Sequence, residues 1–549
     1  MKSVQVTYLI FKRYEPETPL PLVLFLGVVP GALSWLHLDL SQDAPHVVAH
    51  ISSTYTAFYA IVLLCIVIYR ISPFHPLASY PGPFLHKLSK FRMVWVLFQR
   101  RHRCLGVDVR YYQSLHQEYG VSILTGPNEL SIVDADAIGP ILGGKGFPKG
   151  PFWDGRVAPG VTRSLISERD PVEHQRRRRT WNRAFSQTSL QGYEDILRER
   201  TLQFVATLET LQGSLDLDQW ISFYTFDFMG DMAFRGGFEL IRHGEDHTGV
   251  VELMDTAFLR NNMTAHVPYT LRYLVMLPSG SHNTKFMDFA SERVAIRRRE
   301  GALRKDLFHH LIDEEGIEPM PPPMNELMSD GLLAIVAGSD TTSHVLVNLF
   351  QFIMTHPATY ARLQAEIDSA FPPGALPYDT HKQADMPYLE AVINETMRLQ
   401  PPLPNGAQRS TQRIGARMVG NHFIPAGTQV QINTYALQRD PRYFYPCPED
   451  FFPDRWLEPI QWTPEFREHV TAGEKSGRPF VHDVRAFVPF SFGPAMCVGR
   501  PLAYMQMRMV VCAIMRRFHM RIAPGSDLKD YAIAGRGILP TILTPRSSR

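Results

Sequence analysis

Phe490-Ser-Phe-Gly-Pro-Ala-Met-Cys-Val-Gly499 is the stretch on which the reading turns. A single cysteine, Cys497, is framed by Phe490, Gly493 and Gly499, and a final helix is predicted from near Cys497 to about Arg517. A thiolate that ligates iron needs stabilising, and the N–H groups of a glycine-bearing turn and of a helix start can supply that. Cysteine thiolate is also the axial haem ligand that favours O–O cleavage. Taken alone, the segment equally admits a buried structural cysteine. The other four cysteines, Cys65, Cys104, Cys447 and Cys512, are widely spaced and form no CxxC. That argues against a disulfide scaffold or a structural zinc site.

Four upstream segments carry further chemistry. Ala337-Gly-Ser-Asp-Thr-Thr342 lies inside a long apolar helix predicted over Met324 to His356. Glycine costs about 1 kcal/mol there relative to alanine, and Ser and Thr compete for backbone carbonyls, so a local distortion is expected. Glu395-Thr-Met-Arg398 places opposite charges three apart on one helix face. Phe451-Phe-Pro-Asp-Arg455-Trp456 adds another arginine. Glu173-His174-Gln-Arg-Arg-Arg178-Arg179 holds four consecutive arginines, which suit a solvated face or a docking surface. With 56 Lys and Arg against 54 Asp and Glu, global charge gives no argument for nucleic acid.

Together these motifs resemble the cytochrome P450 superfamily of haem-thiolate monooxygenases, in the family's order from Glu173 to the haem loop. The nearest likeness is to fungal microsomal members with an extended N-terminus. The resemblance implies that Phe490, Gly493, Cys497 and Gly499 form the haem-binding loop, with Cys497 the iron ligand. It makes Thr341 the residue that steadies dioxygen beside the haem and Asp340 the acid that relays protons. Glu395, Arg398 and Arg455 become a buried structural triad. His174, Arg178 and Arg409 become contacts of the haem propionates, and the other arginines of that run face a reductase. Asp454 stands where glutamate is more common, and Trp456 where Phe is frequent. The family's Arg or His two residues before the cysteine is Ala495 here, which leaves one propionate short of a partner unless His174, Arg178 or Arg409 compensates.

The cofactors so implied are haem b (iron protoporphyrin IX), O2 as co-substrate, and NADPH through a reductase. The partners implied are NADPH-cytochrome P450 reductase and cytochrome b5. The implied reaction inserts one oxygen atom into a hydrophobic small molecule, in fungal secondary metabolism such as terpenoid biosynthesis. Two alternatives stand beside it: a redox-neutral isomerisation or dehydration on the same fold, and a non-enzymatic membrane haem sensor. The Asp340–Thr341 pair argues for dioxygen activation. By resemblance, the substrate pocket takes in roughly Phe147 to Ile166, the helix before Thr341, Asn405 to Ala407 and Gly537 to Leu539. Few charges there favour an uncharged hydrophobic substrate.

The chain has 549 residues, 45% hydrophobic and 20% charged, which excludes a mainly disordered or coiled-coil protein. The expected fold is mainly α with a small antiparallel β region. A helix is predicted over Asp108 to Gly120, and a hairpin from Ser122 to Thr125 and Glu129 to Val133. Asp385 is the expected N-cap of the helix that carries Glu395, and Thr428 to Asn433 reads as a strand.

Residues 1–72 read as a membrane anchor, 73–86 as a stiff proline-rich linker and 87–549 as the cytochrome P450 catalytic domain. Two apolar stretches, about 20–38 and 53–69, approach the roughly 20 residues a spanning helix needs. Pro21, Pro30 and His37 weaken the first, so one span or two remain open. Lys2, Lys12 and Arg13 precede the pair, Arg70, Lys87, Lys90 and Arg92 follow it, and the stretch from Asp39 to Thr56 has no Lys or Arg. The positive-inside rule puts both ends in the cytoplasm. An endoplasmic-reticulum membrane location follows by resemblance.

Overall fold

Proline and tyrosine decide the shape of the first apolar stretch. Pro30 has no N–H, so the Leu26 carbonyl four residues earlier has no helical donor. The chain answers with a helix Pro19–Leu22, a π-helical turn Val23–Val28 and a helix Val29–Leu36. The Tyr59 hydroxyl donates to the Leu26 carbonyl at 2.6 Å, and the Tyr55 hydroxyl to the Gly27 carbonyl at 2.7 Å. Gly31 leaves room for this, since a Cβ there would lie 3.0 Å from the Tyr55 oxygen. Proline is tolerated in apolar helices where a neighbour satisfies the freed carbonyls in this way.

Both tyrosines belong to α1, Ala44–Ile71. It starts earlier than expected because Pro45 sits in its first turn, where a missing N–H removes no helical bond. It ends against Pro73, which disfavours helix in the residue before it. At 28 residues, with 6% of its most apolar window buried, α1 is long and apolar enough to cross a membrane. The proline-rich segment that follows turns on itself, with the His75, Ala78 and Tyr80 N–H groups bonded to the Ser72, His75 and Leu77 carbonyls.

The computed structural model describes residues 2–13, 19–38, 43–99, 107–234, 236, 238–247, 249–276, 282–301, 304–412, 414–528 and 537–546. Cys104 and positions 39–42 of the loop between the apolar stretches lie outside them. The chain divides into two compact units, Met1–Arg92 with Ile123–Leu130, and Met93–Ser122 with Ser131–Arg549. The predicted hairpin forms as Ser122–Gly126 and Glu129–Ile132, and the predicted helix before it as Val107–Tyr119.

The larger unit is built on helices α2 (Pro171–Ala184), α3 (Leu217–Phe234), α4 (Val250–His266), α5 (Met324–Thr355), α6 (Pro387–Leu399) and α7 (Arg500–Arg517). α3 is buried on nearly every face, as a helix apolar all round must be. α5 packs along it. α5 also passes for a membrane span by composition, yet 56% of its most apolar window is buried in protein, so it is a core helix. Strands β1 (Arg409–Ser410) and β2 (Gln429–Ile432) pair antiparallel, with Arg409 opposite Val430. A second small sheet pairs Phe518–Ile522 with Pro540–Pro545 and that strand with Ser214–Asp216, all antiparallel.

Two helix starts differ from expectation. Met386, not Asp385, is the N-cap of α6, and Asp385 closes the short helix Thr380–Ala384 instead. The free N–H groups of Tyr388 and Leu389 go to the two oxygens of Glu366, each at 2.8 Å, so a distant carboxylate caps α6. α7 begins at Arg500 rather than at Cys497, because Gly493–Ala495 forms a separate 3-10 turn.

Candidate functional site

Gly493 makes the cysteine loop possible. It sits at φ +73°, and a Cβ there would collide with the Leu142 carbonyl oxygen. The Met496 N–H donates to the Gly493 carbonyl and the Cys497 N–H to the Phe490 carbonyl, both at 2.9 Å, which closes the loop. The Phe490 ring lies 5.5 Å from that of Tyr504 on α7. At the helix start the Cys497 sulfur accepts N–H groups of Gly499 and Arg500. Burial pushes its thiol pKa up, while those two N–H groups and the Arg178 charge pull the other way without overcoming it. Cys497 is nonetheless open to solvent on one side, so the protein packed around its sulfur raises the pKa without sealing it off: it borders a cleft of about 620 Å³, lined also by Arg178, Asn182, Phe185, Arg500 and Tyr504.

The arginine run is not one charged surface. Arg176 pairs with Glu173 at 2.6 Å and with Glu326 of α5 at 2.7 Å. Arg177 is buried and pairs with Asp330 at 2.5 Å, while the Leu165 N–H and the Trp181 indole donate to the same carboxylate. Arg178 donates to the Met496 carbonyl at 2.7 Å, which ties α2 to the cysteine loop. Arg179 alone of the four is exposed. A helix turns successive residues by about 100°, so four adjacent arginines must point in different directions. Arg177 is therefore spent inside the protein and Arg176 on two carboxylates at its surface, contrary to the expectation that these arginines face a partner.

Behind this loop a set of basic groups gathers. Lys149 forms a β-bridge with Arg409, and its ammonium donates to the Leu165 and Ile166 carbonyls at 3.0 and 2.7 Å. Burial, reinforced by the Arg409 charge, draws the Lys149 pKa down to about 7. Arg409 is buried, its Nε has no hydrogen-bond partner, and burial draws its pKa to about 10. His174 is brought down to about 3 by burial and by the charges of Lys149, Arg178, Arg409 and Arg177, so it is neutral at pH 7. Lys149 escaped the sequence reading, since a lysine in a Gly- and Pro-rich loop carries no motif.

On α5, Ala337 is exposed, and Gly338, Asp340 and Thr341 are half-exposed, midway along an otherwise buried helix. The expected distortion does not occur, and the segment remains α-helical throughout. Gly338 has a packing reason instead: a Cβ there would collide with the Met229 side chain of α3. The Thr341 hydroxyl donates back to the Ala337 carbonyl at 2.6 Å, so it joins the helix ladder rather than breaking it.

The family model for cytochrome P450 matches residues 88–544. The chain belongs to the cytochrome P450 family. A cytochrome P450 monooxygenase, nodW, of Hypoxylon pulicicidum is 32% identical over 86% of this chain and 82% of its own length. A cytochrome P450 monooxygenase, orf5, of Eupenicillium brefeldianum is 33% identical over 86% of this chain and 91% of its own. Tryprostatin B 6-hydroxylase of Aspergillus fumigatus is 31% identical over 94% and 88%. The protein is thus an oxidoreductase of the cytochrome P450 monooxygenase class, and its family implies haem b and O2, redox partners and hydrophobic substrates.

In this cytochrome P450, Glu395 is fully buried and five donors converge on its carboxylate. Arg398 contributes two at 2.8 Å, Arg455 one at 3.0 Å, the Phe452 N–H one at 3.0 Å and the Trp456 indole one at 2.9 Å. Burial opposes the charge, but Arg398 and Arg455 outweigh it and hold the carboxyl pKa at about 2. Trp456 is thus a fourth partner, and its ring also packs 4.6 Å from Phe487, just ahead of the cysteine loop. Gln438 extends the link: its amide donates to the Met397 and Arg398 carbonyls and its oxygen accepts the Val488 N–H at 3.0 Å. Asp454 accepts the Thr463 N–H at 2.6 Å and pairs with Arg362.

Proposed function

We propose that the chain is an NADPH-dependent monooxygenase of the endoplasmic-reticulum membrane, served by NADPH-cytochrome P450 reductase and cytochrome b5. It inserts one oxygen atom from O2 into a hydrophobic secondary metabolite such as a terpenoid. The observation that carries this reading is Cys497, a lone thiol on a closed loop whose sulfur receives two helix-start N–H groups beside an open cleft. Residues 1–72 serve as the anchor and 87–549 as the catalytic part, joined through 73–86. The tyrosine-bonded pairing of Pro19–Leu36 with α1 favours two spans over one. Lys12 lies 3.4 Å from the centroid of the Tyr69 ring, beside Arg70, which supports a common cytoplasmic side for the basic flanks.

The residues present fit haem. Arg409 has a buried, unpartnered Nε, and Lys149, His174 and Arg178 surround it electrostatically. Two propionate carboxylates would supply the counter-charge this set lacks. Lys149 then takes the place of the basic side chain missing at Ala495. Arg409→Ala is expected to lower haem retention about tenfold or more, as loss of a charge-assisted bond of ~1.5–3 kcal/mol implies. Lys149→Met should do the same, read as haem per protein after gel filtration. Wild-type haem content in both variants would rule out this cradle.

When bound, the haem supplies dioxygen activation, and the protein supplies ligation, orientation and exclusion of water. Thr341 Oγ and Asp340 sit on the exposed patch of α5 and are the groups here that can hold and pass a proton. To donate elsewhere, Thr341 must release the Ala337 carbonyl, a bond worth about 1 kcal/mol net. Thr341→Ala is expected to keep the haem spectrum and NADPH oxidation but lose most product formed per NADPH. Unchanged coupling would remove Thr341 from proton delivery.

The carbon-monoxide difference spectrum of the reduced, membrane-expressed protein tests the reading as a whole. A thiolate-type Soret band is expected, and an imidazole-type band in folded protein would overturn it. Turnover that proceeds without NADPH and reductase would establish the redox-neutral alternative.

A further inference from the structure

The loop expected to line the substrate pocket is not free of charge. It carries Lys149, Asp154, Arg156 and Arg163. Asp154 is spent on Arg163 at 2.7 Å and on Arg169. Arg156 has no such partner: among the described residues no carboxylate pairs with it. Its guanidinium lies 4.7 Å from the Phe152 ring and 5.5 Å from the Trp153 ring, Nη2 donates to Asn262 Oδ1 of α4 at 2.7 Å, and Nε is buried with no hydrogen-bond partner. Burial draws its pKa down to about 10, so it stays charged at neutral pH.

The surroundings hold this cation in place. A Cβ on Gly155 would collide with the Thr264 carbonyl oxygen, and the Thr264 hydroxyl donates to the Gly155 carbonyl at 2.5 Å. The turn Pro151–Arg156 therefore lies hard against α4. On its other side the Phe152 N–H bonds Gln408 Oε1 at 3.0 Å and the Trp153 indole bonds the Gln408 carbonyl at 3.2 Å. Gln408 precedes Arg409, so one short turn connects the Arg156 cation to the basic cradle. A buried cation left short of partners is costly, and arginine presents a planar fork that matches a carboxylate. Aromatic faces beside it suit a ligand with an apolar body.

We propose that Arg156 anchors a carboxylate on the substrate, so that the substrate is a hydrophobic molecule with one acidic group rather than an uncharged one. This rests on the monooxygenase reading for what happens to the ligand, but not for its binding. The test is equilibrium dialysis of labelled dodecanoate and its methyl ester against the full-length holoprotein, with a carbon-monoxide spectrum of each preparation.

Wild type is expected to bind the acid at least about tenfold more tightly than the ester. Arg156→Gln should remove that preference while ester affinity and spectrum stay unchanged, and Arg156→Lys should keep part of it. An equal acid-to-ester ratio in wild type and Arg156→Gln, or no binding of either probe, overturns the anchor and leaves Arg156 a clamp between the turn and α4. Acid preference that depends on Arg156 in protein with no thiolate-type band would sink the haem-thiolate reading and leave the anchor standing.

Discussion

Cys497→Ser is expected to abolish the thiolate-type carbon-monoxide band and to reduce hydroxylation by a thousandfold or more, roughly 4 kcal/mol in barrier. The sulfur is the soft, anionic donor that the proposed chemistry needs, and a serine oxygen is a harder donor that pushes less electron density to the iron. Protein folding should survive. The loop is closed by backbone bonds from Cys497 to Phe490 and from Met496 to Gly493, and its shape depends on Gly493, none of which involves the sulfur. Secondary structure by circular dichroism should therefore match wild type. The raised thiol pKa sharpens the expectation, because burial outweighs the pull of the two N–H groups and of Arg178. A bound metal ion would supply the remaining stabilisation, since it deprotonates a coordinating thiol outright. Apoprotein should accordingly react slowly with alkylating reagents at pH 7, and haem-loaded protein should not react at Cys497. Hydroxylation retained in Cys497→Ser would sink the ligand assignment.

Local geometry was legible in the sequence, and long-range partners mostly were not, the Glu395–Arg455 pair implied by the family resemblance excepted. The cysteine loop was readable because its closing bonds and the positive φ of Gly493 lie within ten residues, whereas the contact of Gly493 with Leu142 was not. The helix boundary at Met324 was readable because proline and apolar periodicity mark it locally. Asp385 misled because it has the right chemistry at the right offset, whereas the N–H groups of α6 are met by Glu366, about twenty residues upstream. Gly338 looked like a helix breaker, but its role is set by Met229, which only the packed helix pair brings near. The four arginines looked like one patch because a string has no faces. Arg156 was hidden for a related reason: what singles it out is that, among the described residues, no carboxylate pairs with it in space.

Glu395→Gln is expected to destabilise the fold by about 3–5 kcal/mol, the usual cost of leaving a buried charge without its partner. The substitution preserves shape but strands two arginines. Arg398 and Arg455 are fully buried and also hold the carbonyls of Gln438, Pro446, Cys447, Pro448 and Asp450. The carboxylate therefore fixes the segment that leads to the cysteine loop. Trp456→Phe should cost less, about 1–1.5 kcal/mol, because it removes one of five donors and leaves both charges paired. The order Glu395→Gln well above Trp456→Phe, in urea midpoints and in haem retained, is the expected signature.

Acid gives an independent check. The Glu395 carboxyl titrates at about 2 in the folded state against 4.5 ordinarily, so the folded state binds fewer protons between those values. Its stabilisation, ~3 kcal/mol, is complete above about pH 4.5 and is lost as pH falls towards 2. Wild type should lose stability across that window, and Glu395→Gln, which has no proton to take up there, should show a shallower slope. Equal slopes, or a Glu395→Gln variant as stable as wild type at pH 7, would mean that the network behind the cysteine loop does not depend on this charge.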